Sequence, residues 1–91
     1  MYIVTNTTGL GEYTPSRFKK LENAKKWLIE CTAENIRSWK EDEHDELLFM
    51  RNNKVIEWAK NNLGRNFEFS EEHSLIVYGD GSYNLMNIYE V

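Results

Sequence analysis

The chain opens on a short pattern rich in β-branched and aromatic residues and then changes period. Residues 2–6, Tyr-Ile-Val-Thr-Asn, predict a strand. Thr7–Gly11, with two glycines, predicts a turn. Glu12–Lys19 reads as a second, poorer strand. Pro15 lies inside it and cannot donate to a ladder, so this segment is an edge strand or a loop. From Leu21 to Leu63 there is neither glycine nor proline. A single helix of that length would run about 65 Å, too long for so small a globule. Two helices are therefore expected. The first spans Glu22–Trp39, with Ala24, Trp27, Leu28, Cys31, Asn35 and Trp39 on one face and Ile29, Ala33 and Ile36 further round. The second spans Glu43–Leu63, with Leu47, Leu48, Val55, Trp58, Ala59 and Leu63 sharing a face, Ile56 at its margin and Gly64 as its terminator. The break falls in the polar run Lys40–Asp45.

The last nineteen residues return to period two. Ser74–Tyr78 predicts a strand, Gly79-Asp80-Gly81-Ser82 a tight turn, and Tyr83–Val91 the returning strand. Leu75 and Val77 then share one face, with Ile76 and Tyr78 on the other. Tyr83, Leu85, Tyr89 and Val91 oppose Asn84, Met86, Ile88 and Glu90. The expected fold is α+β, in the order β-(β)-α-α-β-β. An antiparallel sheet of three to four strands, joined by the N-terminal strand, carries two helices on one face. Tyr2, Tyr78, Tyr83 and Tyr89 fall on this sheet, and its second face is expected to hold several aromatics with little to cover them.

Ninety-one residues, 41% hydrophobic and 29% charged, point to a single domain over residues 1–91. The longest apolar runs are four residues, Leu47–Met50 and Leu75–Tyr78, so no membrane span is expected. The N-terminal segment lacks the basic-then-apolar order of a secretory signal. The lone Cys31 forms no internal disulfide and builds no zinc site by itself, which favours a reducing, cytoplasmic setting. Charge is divided along the chain. Residues 1–40 carry seven basic and four acidic side chains, and residues 41–91 carry four and eleven, for a net charge of −4. That division suggests two faces of opposite sign, and the net acidity argues against direct nucleic-acid binding.

The densest charge cluster is Glu41-Asp42-Glu43-His44-Asp45-Glu46. It reads either as capping of the second helix through Asp42 or Asp45, or as an acidic surface that imitates nucleic-acid phosphate for a basic partner. It has neither His-xxx-His spacing nor the calcium-loop pattern, so no metal is expected. Glu68, Glu71, Glu72 and His73 form a second acidic run, in a connection anchored by Phe67 and Phe69. No serine-nucleophile motif or phosphate-cradling glycine loop occurs, and neither histidine is placed near Cys31, so no catalytic residue and no cofactor are expected.

A small acidic chain with a tyrosine-rich sheet and no catalytic signature fits a non-enzymatic protein-binding module. In size and charge it resembles small inhibitors made by phages and mobile elements, anti-CRISPR proteins among them, which implies a protein that occludes a nucleic-acid-handling host partner. The expected partner-binding residues are Glu41, Asp42, Glu43, Asp45, Glu46, Tyr78, Tyr83 and Tyr89. The alternative is a nucleic-acid-binding module using the basic stretch of Arg17, Lys19, Lys20, Lys25 and Lys26, with Phe18 and Trp27 interleaved, and the sheet aromatics. A third alternative is a small enzyme whose site forms only between subunits, and homodimerisation through the sheet face or its edge is compatible with all three readings.

Overall fold

The computed structural model describes all of residues 1–91 and has the α+β architecture expected, on a larger sheet. Its strands are β1 (Tyr2–Thr8), β2 (Gly11–Glu12), β3 (Ser16–Phe18), β4 (Phe67–Ser70), β5 (His73–Val77) and β6 (Tyr83–Glu90). Its helices are α1 (Leu21–Lys40) and α2 (Asn52–Asn62). The sheet order is β2-β1-β6-β5-β4, with β3 also on β1, and every pairing is antiparallel. β2 and β3 lie along the same edge of β1, and Pro15 falls in the gap between them. That is where a residue without an N–H costs the ladder nothing.

The strand that sequence reasoning missed is β4. Phe67-Glu-Phe69-Ser alternates with period two and pairs with β5 from Phe67 opposite Ile76 to Ser70 opposite His73. Phe67 is buried, and Phe69 packs against both hydrophobic clusters of the core. The Asp80-Gly81 turn forms as expected: Gly81 has φ +89°, and the Tyr78 N–H donates to the Ser82 carbonyl at 2.8 Å.

One sheet face is covered and the other is open. Val4, Ile88, Met86, Ser74, Ile76 and Phe67 are buried beneath the helices. The opposite registers, Ile3 with Tyr89, Leu85 with Leu75 and Tyr83 with Val77, lie on the uncovered face. The tyrosines are therefore divided. Tyr2 packs into the covered core, Tyr78 follows β5 and packs against the core, and only Tyr83 and Tyr89 belong to the open face.

Both helices depart from the expected pattern for identifiable reasons. The buried stripe of α1 is Ala24, Leu28, Thr32, Ala33, Ile36 and Arg37, rotated away from Trp27, Cys31 and Asn35. Thr32 occupies the core because its Oγ1 donates to Ser74 Oγ at 2.9 Å, so each buried hydroxyl has a partner. The expected helix over 43–63 is two pieces, a 3₁₀ turn at Asp45–Phe49 and then α2. Arg37 accounts for the break. Its Nε donates to the Leu47 carbonyl at 3.0 Å and its Nη2 to the Met50 carbonyl at 2.6 Å. In a continuous α-helix those carbonyls would accept from the amides of residues 51 and 54. Gly64, at φ +55°, follows the last turn of α2 as expected.

Candidate functional site

The connection between α1 and α2 gathers the acidic cluster onto a fixed turn. After Lys40, whose carbonyl accepts from the amides of Glu43 and His44, the chain turns through Glu41–Glu43 into the 3₁₀ segment. The Arg37 guanidinium holds that segment from beneath. Besides the two carbonyls, Nη1 donates to Asn52 Oδ1 and to Glu34 Oε1, each at 2.8 Å. Arg37 is itself buried, so these bonds form in a partly desolvated setting where they are strong. His44 adds a side contact, with its ring 5.0 Å from Trp58 and its Nδ1 3.1 Å from Glu46 Oε1.

The turn sorts its side chains sharply. Leu47 points into the core and is fully buried. Leu48 is 50% exposed and Phe49 88% exposed. The sequence pattern had placed Leu48 on a buried helix face. A one-turn 3₁₀ segment cannot turn Leu47, Leu48 and Phe49 all inward, and that geometry was the missed signal. Glu41, Asp42, Glu43, Asp45 and Glu46 are all exposed, and of the five only Glu46 has an ion-pair partner, His44. Capping by Asp42 or Asp45 does not occur: the residue preceding the 3₁₀ turn is His44, and no side chain caps that turn or α2.

The tyrosines are only partly brought to this end. Tyr78 packs edge-on against Trp39, near the C-terminus of α1, with centroids 5.1 Å apart. Burial pushes its phenol pKa up, so the hydroxyl stays neutral. Tyr83 pairs across from Val77 at the same end of the sheet. Tyr89 lies six residues further along β6, about 20 Å away at 3.4 Å per residue, and is 53% exposed beside Ile3.

The second acidic run does not extend the first. Lys25 Nζ meets Glu71 Oε2 at 3.1 Å, which places the β4–β5 turn beside the start of α1. Glu41 follows the other end of that helix, about 24 Å further along at 1.5 Å per residue.

Lys25 and the interleaved Trp27 do not share one helix face. Lys25 turns toward Glu71, whereas Trp27, about 200° round the helix, packs against Phe18 and lines a cleft of about 390 Å³. That cleft also holds Glu30, Glu34 and Cys31, a setting that repels phosphate. Burial and the Glu30 carboxylate together raise the Cys31 thiol pKa. The histidines contact other groups: His44 meets Glu46 and Trp58, and His73 Nδ1 lies 2.7 Å from Asn87 Oδ1. No group of three or more His, Cys, Asp or Glu side chains is arranged to hold a metal ion, and no helix is long and apolar enough to cross a membrane.

Comparison with protein-family models, with characterised proteins and with solved structures returned no match.

Proposed function

We propose that the chain is a non-enzymatic protein-binding module that recognises a basic partner through the connection at residues 41–49. Phe49 and Leu48 enter an apolar pocket on the partner, and Glu41, Asp42, Glu43, Asp45 and Glu46 meet the cationic rim around it. The observation that carries this reading is the pair of exposed apolar side chains on a turn whose carbonyls are fixed by a buried arginine. A phenylalanine this exposed contributes little to the fold, so its packing value is left for an interface. The fixed turn removes much of the ordering cost of binding. The five carboxylates, four of them without an ion-pair partner, supply steering and exclude acidic competitors. Nucleic-acid-handling proteins fit this surface as a partner class, because they present clustered Lys and Arg to phosphate. Tyr78 and Tyr83, at the same end of the molecule, supply secondary contacts.

The test is affinity capture from a lysate of the native source, treated with nuclease and read by mass spectrometry. A stoichiometric protein partner should survive nuclease. Phe49→Ala should weaken its binding by about 2 kcal/mol, while the fold is unaffected. Neutralising the five carboxylates to Gln and Asn should abolish capture near physiological salt, and raising the salt should weaken the wild-type complex. The matched control, Glu71→Gln with Glu72→Gln, should capture normally. Retention of the partner by both the Phe49 and the five-carboxylate variants would overturn the proposal. Loss of every partner on nuclease treatment would overturn it in favour of nucleic-acid binding.

A further inference from the structure

A second cleft, of about 510 Å³, opens between the β1–β2 and β5–β6 turns. Tyr13, Tyr78 and Tyr83 line it with Leu10, Asn84 and Ser82, and none of its lining residues carries a charge. Its size falls in the range of small-molecule sites. Negative charge adjoins it on two sides. Asp80 Oδ1 accepts from the Ser82 hydroxyl at 2.6 Å and from the Ser82 N–H at 3.0 Å, which puts a carboxylate one hydrogen bond behind the wall. Those bonds hold the Asp80 carboxyl below its usual pKa, and so ionised. Glu12 borders the adjoining hollow with Leu10 and Tyr13. Within the wall, Asn84 is buried; its Nδ2 donates to Asn6 Oδ1, and its own Oδ1 has no donor. That oxygen adds a partial negative charge in a low-dielectric setting.

We propose that this cleft binds a small alkylated ammonium compound, a quaternary amine of the choline type, through cation–π contacts from Tyr13, Tyr78 and Tyr83. Aromatic rings without a positive neighbour in the lining, backed by carboxylates, favour a cation and reject an anion. Alkylation matters because a bare ammonium is strongly hydrated and gives up more water on entering a tyrosine-lined cleft. The chain already uses the same contact one ring away: Lys40 Nζ lies 4.1 Å from the centroid of Trp39, whose ring packs against Tyr78. That resident charge opposes a second cation nearby and lowers the affinity. The site uses none of residues 41–49, though it shares Tyr78 and Tyr83 with the secondary contacts of that surface, and it stands whether or not that surface binds a partner.

The test is an amide-detected NMR titration of the intact chain with choline chloride, set beside its neutral isostere 3,3-dimethylbutan-1-ol. Choline should move the amides of residues 8–13 and 78–84 and the Asn84 side-chain amide in a saturable way, and the isostere should not. Tyr13→Ala should weaken choline binding by about three- to tenfold. Tyr13 is 60% exposed, so the fold tolerates the change, and an unaltered spectrum elsewhere verifies it. The absence of shifts, equal shifts from the isostere, or unchanged affinity in the Tyr13 variant would each overturn the assignment. Markedly tighter binding of a trimethyllysine peptide would overturn the small-molecule source in favour of a partner's side chain.

Discussion

Arg37 makes more side-chain hydrogen bonds than any other residue of this fold. One guanidinium serves two backbone carbonyls, an amide oxygen and a carboxylate, each at 3.0 Å or less. Its removal leaves the Met50 carbonyl without a donor, and the Leu47 carbonyl with only the Met50 N–H at 3.3 Å, at a site that water reaches poorly. Arg37→Met should therefore lower stability by about 3 kcal/mol, read from urea denaturation. Arg37→Lys should recover less than half of that loss, since a single ammonium cannot span the four acceptors. A fully stable methionine variant would show that the turn is held by Leu47 packing alone. Cys31 gives a second test at this scale. Burial first, and the Glu30 carboxylate second, raise its thiol pKa, so the thiolate is scarcer at neutral pH than in the unfolded chain. Reaction with an aromatic disulfide reagent should be slower in the native protein than in urea, and Glu30→Gln should speed the native reaction. Native and unfolded rates that coincide would contradict this environment.

Among the elements, local pattern was a good guide where geometry is local. The Asp80-Gly81 turn and the glycine after α2 follow from positive-φ conformations that few residues adopt, and the alternation along β6 from the two-residue period of a strand. Gly64 offers a clean measure of this. It has φ +55°, and an added Cβ there would meet nothing within 4 Å. Gly64→Ala should cost about 1 kcal/mol from backbone strain alone, measured by thermal or urea unfolding. No loss would mean that the last turn of α2 relaxes freely. Elements decided by distant partners were not legible. The stripe of α1 is rotated because Thr32 finds Ser74, forty-two residues away. The helix over 43–63 is broken because Arg37 claims its carbonyls. β4 was read as a connection because a four-residue strand with two acidic neighbours carries too little pattern by itself.

At the scale of the whole molecule, the uneven charge along the chain becomes a division between the two ends of α1, and only one end is simple. Near the start of α1, Lys25 pairs with Glu71. The carboxylates beyond its C-terminus meet one histidine and no lysine or arginine. The acidic residues of the proposed contact were legible in the sequence as a cluster. Their apolar centre, Leu48 and Phe49, was not, because a helix of period 3.6 hides what a 3₁₀ turn exposes. The open sheet face, with Tyr89 at its far end, is the competing surface. The two are separated most directly by placing the photo-cross-linking residue p-benzoylphenylalanine at position 49 in one sample and at position 89 in another, then irradiating each in a lysate of the native source. The account predicts one discrete protein adduct from position 49 and none from position 89. An adduct from position 89 alone would contradict it and move recognition to the sheet.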